Sequence, residues 1–270
     1  MNRYGCACNT PGMDNSHGRP RQPPAVTRSP HEWAAISTGP GLRPALWRHE
    51  AARAGWPAVV TPLVMSVAVP AFAAAMMAGS ATHEQTMRML VGWLEVGLPL
   101  TAGIGGASLV GRDPAVELQL SMPTGYAVTL LRRLAVTVGW PALLALAGNV
   151  ILLATGWWPA EYVAGESVLV WAAPLLLLGM LGAFLAVWLR NAAAASGLVA
   201  AVWLVQLLFS PLFVGTPVLR ELYLFPTSMV PGMPGWGINR LVLLVAAAAL
   251  LLGTCALLSR PHRLLAGEDA

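Results

Sequence analysis

Glu95, in the segment MLVGWLEVGLPLTAGIGG, is the one formally charged residue well inside a long apolar stretch of this chain. Carrying a carboxylate into hydrocarbon costs about 2.5 kcal/mol or more, so an acid at such a position needs a purpose or a partner. The purposes open to it are a proton relay, a cation contact, or a place on the wall of a pathway. The plainer readings are polar packing, an outer vestibule, or a pairing with a nearby arginine such as Arg88. They apply because Glu95 lies about seven residues from the expected outer end of its stretch. Asn149 and Gln206 also fall within apolar stretches and read as hydrogen-bonding groups between helices.

Most other chemistry is excluded by missing residue types. The chain has no lysine, and all sixteen of its basic residues are arginine. That removes the phosphate-binding P-loop lysine, the Schiff-base lysine and the Ser–Lys dyad. Aspartate occurs only at Asp14, Asp113 and Asp269, so a paired-aspartate intramembrane site cannot be built. His17, His31, His49, His83 and His262 all lie outside the apolar stretches, and neither H-E-x-x-H nor G-x-S-x-G occurs. Cys6, Cys8 and His17 offer metal-ligating atoms without a visible fourth ligand. Cys255 lies inside the last apolar stretch, and no disulfide framework emerges. The expectation is a chain that is not an enzyme and holds no metal or cofactor of its own.

The elements that must position Glu95 follow from composition. Charged residues make up 10% of the chain, against about 25% in ordinary soluble domains. Pro57–Ala78, Met89–Val110, Leu134–Thr155, Val168–Leu189, Ala192–Val214 and Ile238–Leu258 are apolar. Each approaches the ~20 helical residues that cross a hydrocarbon core. None alternates as a strand would, so the fold class expected is an all-α membrane protein with six transmembrane helices. The first stretch is long enough to span and reads as a retained helix, not a cleaved signal. The run TAGIGGASLVG places Gly103, Ala107 and Gly111 at the small-xxx-small spacing of close helix contacts. Pro62, Pro70, Pro99, Pro141, Pro174 and Pro211 fall in or near the stretches, where kinks are expected. No internal repeat of the kind that marks many secondary transporters is present.

Arginine placement sets the expected orientation. Arg43, Arg48 and Arg53 precede the first stretch, Arg112, Arg132 and Arg133 lie between the second and third, Arg190 lies between the fourth and fifth, and Arg260 and Arg263 follow the sixth. Arg88, Arg220 and, at the membrane edge, Arg240 occupy the other side. The positive-inside rule then places both termini in the cytosol. Trp56, Trp157, Trp158, Trp188 and Trp236 fall near helix ends, as interfacial anchors do. The basic balance reflects these flanks and implies a lipid bilayer as partner, with no nucleic acid.

Residues 1–40 are rich in Pro, Gly, Ser and Asn and read as a disordered cytoplasmic tail, with a second short tail at 266–270. Between them, 41–265 reads as one membrane domain. Pro44–Gly55 (PALWRHEAARAG) reads as a helix along the inner membrane surface, with apolar Leu46, Trp47, Ala51 and Ala54 and polar Arg48, Glu50 and Arg53. In the cytoplasmic link 111–133, Asp113 suits a helix cap, Pro114 the first helical position and Glu117 the first turn. Arg190 and Asn191 are all that joins the fourth and fifth stretches, so these form a tight hairpin. The outer link 215–237 is too apolar for a solvated loop and too proline-rich for a span. It reads as a broken, re-entrant segment.

Taken in order, the inner-surface helix, the six spans, the D-P-A-x-E-L-x-L…P link, the outer segment and the exit NRLVLL…SRPHRLL at Asn239–Leu265 resemble the membrane subunit of a type 2 ABC exporter. The resemblance covers 42–265. It implies a bacterial plasma-membrane permease that works as a homo- or heterodimer and forms the substrate pathway with a second permease subunit. A separate ABC ATPase subunit would bind ATP and Mg. Asp113, Pro114, Glu117 and Leu118 would couple to that ATPase. Trp47, Arg48, Glu50 and Arg53 would form the connector helix beside it, and Glu95 would be a candidate pathway residue. Two other readings stay open: a non-transporting scaffold or sensor subunit, and a proton-coupled secondary transporter using Glu95.

Overall fold

The computed structural model describes residues 56–109, 126–159 and 165–259. The expected connector helix at 44–55, with Trp47, Arg48, Glu50 and Arg53, lies outside these residues. So do Asp113, Pro114, Glu117 and Leu118 of the expected coupling link, and both tails.

Every regular element among the described residues is helical. The long helices are α1 (Trp56–Gly79), α2 (His83–Ala107), α3 (Tyr126–Ala154), α4 (Ser167–Leu189) and, at the end of the described chain, α9 (Trp236–Leu258). All five are long and apolar enough to cross a membrane. The chain is thus an all-α, multi-pass membrane protein.

The fifth expected span takes a different form. Helix α5 (Ala192–Leu208) has 17 residues, which at ~1.5 Å per residue reaches roughly 25 Å, short of a ~30 Å core. Phe209 then interrupts the helix, and α6 (Ser210–Gly215) follows with Pro211 in its first turn. Proline has no N–H to give to the carbonyl of Leu207, so one rung of the ladder is missing where this break falls. Two short turns of helix, α7 (Pro217–Arg220) and α8 (Pro226–Met229), complete the outer segment before α9.

Two boundaries move from where hydropathy puts them. Helix α2 starts at His83 rather than near Met89, because Thr82 and Gln85 form a reciprocal capping box: the Thr82 hydroxyl accepts from the Gln85 N–H, and the Gln85 side chain accepts from the Thr82 N–H. Helix α3 starts at Tyr126, so the last eight residues of the expected link 111–133 are helical, including Arg132 and Arg133. Pro62 and Pro70 in α1, Pro141 in α3 and Pro174 in α4 sit inside helices that continue past them.

Helix α4 is apolar on every side and packs on both, as a helix without a polar face must. One core cluster joins Leu94 and Leu98 of α2 with Val138 and Ala145 of α3 and Val170 and Leu175 of α4. A second joins Leu178 and Ala186 of α4 with Val199 of α5, Leu243 of α9 and the buried Tyr223, Leu224 and Phe225 of the outer segment. The α4–α5 hairpin forms as the sequence predicts. Arg190 turns the chain in the left-handed region (φ 54°), and the Asn191 side-chain oxygen caps α5 by accepting from the Ala193 and Ala194 N–H groups. Helix α1 lies at the margin of the bundle, against α2 and α3, with Trp140 of α3 donating its indole N–H to the Val59 carbonyl at 3.0 Å.

Candidate functional site

Glu95 owes its setting to Pro99. A proline within a helix has no N–H, and its ring collides with the carbonyl four residues back, here that of Glu95 itself. The chain relieves this with one turn of π-helix at Trp93–Gly97, in which the Leu98 N–H reaches back five residues to the Trp93 carbonyl. Trp203 of α5 donates its indole N–H to the Val96 carbonyl of the widened turn at 2.9 Å. Trp203→Phe keeps the ring that meets Phe225 edge-on but removes this donor. A loss of about 1 kcal/mol in thermal unfolding of the detergent-purified chain is expected.

The π-turn sits at the middle of α2 because the capping box lengthens the helix at its N-terminal end. Glu95 is therefore central in its helix and fully buried. Its partner is Arg240, from the second turn of α9 and equally buried. One Glu95 oxygen, Oε1, accepts from Arg240 Nη2 and from the Thr227 N–H at 3.0 Å. The other, Oε2, accepts from the Ser228 N–H at 2.6 Å. Those two amides belong to the first turn of α8, whose N–H groups have no helical acceptor. A carboxylate on α2 thus caps a short helix of the outer segment, with charge-assisted bonds.

The arginine is held from several sides. Its Nη2 also donates to the Thr227 hydroxyl at 2.9 Å, and its Nη1 donates to the Leu224 carbonyl at 3.1 Å. The guanidinium carbon lies 5.3 Å from the Trp236 ring centre, one turn back on α9, and the Trp236 indole N–H donates to the same Thr227 hydroxyl. Neighbouring Asn239 directs its amide nitrogen at the carbonyls of Arg220, Glu221 and Tyr223. Gln206 of α5 accepts from the Leu224 N–H at 2.7 Å. Three separated helices, α2, α5 and α9, therefore fasten one outer segment, chiefly through its backbone.

This corrects three expectations. Arg88 is not the partner of Glu95: it pairs with Glu84 one turn away at 2.5 Å, both exposed. Arg240 is not a membrane-edge flank but a fully buried ion-pair partner. The clue lay in the rule that a buried carboxylate needs a cation, and Arg240 opens the last apolar stretch. Gln206 does not bond helix to helix as expected but joins α5 to Leu224, in the non-helical part of the outer segment. Asn149 is buried with its amide nitrogen lacking an acceptor among the described residues.

Chemically the network is a lock, with opposite charges matched and its one bonded hydroxyl, that of Thr227, accepting from Arg240 and Trp236. Among the described residues no three His, Cys, Asp or Glu side chains converge. The fold and the lock define a multi-pass membrane protein whose outer segment is fastened to its helices by a buried ion pair. No protein-family model matches the chain, and no curated protein or solved structure matches it either.

Proposed function

We propose that the chain is the membrane subunit of an ATP-driven transporter of the type 2 ABC exporter kind. It would pair with a second permease subunit and draw energy from a separate ATPase that binds ATP and Mg. Its site would be a bacterial plasma membrane, with both termini cytosolic and the outer segment facing away from the ATPase. The observation that carries this reading is the polar fastening of the outer segment. A transporter needs a cover that changes between discrete positions, and a few directional bonds from Glu95, Arg240, Asn239 and Gln206 release together in a way that diffuse packing does not. The lysine-free sequence agrees, since nucleotide binding then belongs to another polypeptide. The order of helix, link and hairpin along 42–265 supplies the rest.

The test is affinity purification of the tagged chain from its native membrane in mild detergent, with mass spectrometry of what co-purifies. A stoichiometric ATPase bearing a Walker lysine is expected, and it should be lost when Asp113 and Glu117 are both replaced by alanine. Purification without any ATPase sinks the reading and moves attention to a scaffold, or to proton coupling through Glu95.

A further inference from the structure

A cavity of about 600 Å³ lies between α1, α2 and α3, away from the Glu95 lock. Its walls are Leu63, Val67, Pro70 and Ala74 of α1, Leu90 and Trp93 of α2, and Ala147 and Ile151 of α3, among others. That volume falls within the range of ligand sites, roughly 300–1,000 Å³. Three side-chain hydroxyls line it, and each donates its proton to a backbone carbonyl: Ser66 to that of Pro62, Thr86 to that of Thr82 and Thr155 to that of Ile151. They keep only acceptor capacity in a wall that is otherwise almost wholly apolar, whereas sites for drug-like or sugar-like molecules carry a few convergent polar groups.

Its length is also informative. From Leu63 to Met77 the α1 wall runs roughly 21 Å at the helical rise, longer than the ~15 Å half-thickness of a hydrocarbon core. Helix α1 forms one entire side, yet only 11% of its spanning window is buried. A wall so lightly packed leaves the cavity lined by groups that prefer hydrocarbon to water. At one rim the Trp157 ring lies against exposed His83, with ring centres 4.2 Å apart and the planes tilted by 32°. An amphipathic pair at that level suits the place where an apolar chain ends and a polar head begins.

We propose that this cavity is a binding site for the acyl chain of an amphiphile, its polar end beside His83 and Trp157. The inference stands whether or not the chain is a transporter subunit. The chain could come from a membrane phospholipid or from a free fatty acid. These share the chemistry and differ in the head, so the experiment separates them.

The full-length protein, purified in detergent, is irradiated with a fatty acid carrying a diazirine on its chain and, separately, with phosphatidylglycerol carrying the same chain. Labelled residues are mapped by mass spectrometry. Labelling concentrated at 63–77 and 144–155 is expected, and the more efficient probe identifies the source. Ala74→Phe together with Ala147→Phe fills the space from two walls and should lower labelling roughly tenfold, the consequence of excluding a few methylenes. Leu252→Phe, on an exposed face of α9 outside the cavity, should leave it unchanged. The milder Ala147→Leu, expected to give an intermediate loss, keeps the test decisive if the double variant aggregates. Labelling spread evenly over all lipid-facing helices and unmoved by these substitutions overturns the proposal. So does exclusion of both probes because a second copy or the chain's own N-terminal residues occupy the space.

Discussion

Arg240→Leu is expected to lower the stability of the detergent-purified chain by about 3–5 kcal/mol, the cost of leaving a buried charge without its partner. At the ~2–4 °C per kcal/mol usual for domains of 150–250 residues, that is a fall of roughly 10 °C in apparent Tm. Three consequences add up at one place. Glu95 remains buried, now with only the Thr227 and Ser228 amides for company. The Thr227 hydroxyl keeps the Trp236 indole but loses the guanidinium, and the Leu224 carbonyl loses its donor. Glu95→Gln is milder in charge but places an NH₂ group against a backbone N–H. The best orientation keeps the oxygen on Thr227 and Arg240, which sets two donors face to face at Ser228. The double substitution Glu95→Gln with Arg240→Leu should therefore cost less than the two singles combined, because the second change removes a charge the first has already stranded. Strict additivity in that cycle would mean that the pair is not coupled. Limited trypsin digestion gives a local readout: cleavage after Arg220, half-buried in the outer segment, should quicken in Arg240→Leu more than cleavage elsewhere.

The sequence discloses the helices better than it discloses the lock. Five of the six apolar stretches form helices of bilayer length, because hydropathy over about 20 residues is a summed signal that single residues cannot cancel. The α4–α5 hairpin and the buried outer segment were also legible, the first from the two polar residues at its turn and the second from Leu, Tyr and Phe in a supposed loop. The break at Phe209 was not, since Pro211 raised an expectation of a kink without saying where the ladder would stop. Glu95 stood out as the lone acid, yet its partner lies 145 residues away, beyond any local pattern. Arg240 was hidden because an arginine at the start of a span ordinarily flanks a membrane. The position of Glu95 within α2 was misjudged for a local reason: hydropathy trims polar first turns, while the Thr82–Gln85 capping box extends the helix through them.

Gly182→Ala shows the same limit in packing, and it carries the second large effect. On propensity alone, alanine should strengthen a helix by roughly 0.8–1 kcal/mol over glycine. Here a Cβ on Gly182 would run into the Gly103 carbonyl of α2 and come within 2.8 Å of the Ala107 nitrogen. A Cβ on Gly106 would likewise strike the Gly179 carbonyl of α4. The colliding atoms are backbone, so no side-chain rotation relieves them, and α2 and α4 must move apart along their whole shared face. A loss of about 3 kcal/mol is expected for Gly182→Ala, the upper end of ordinary overpacking. Gly197→Ala on α5, where a Cβ meets nothing within 4 Å, should instead gain about 0.5–1 kcal/mol. One chemical change then has opposite signs at two helical sites, and only the distance to a neighbouring backbone separates them. Gly103 and Ala107 were visible as small residues at contact spacing, but α4 as their partner, and Gly106 beside them, were not. The pair Gly106→Ala with Gly182→Ala should cost less than the two singles together, since helices parted by the first Cβ already make room for the second. Thermal unfolding of the four chains measures this, and a full additive loss would show that the two contacts yield independently.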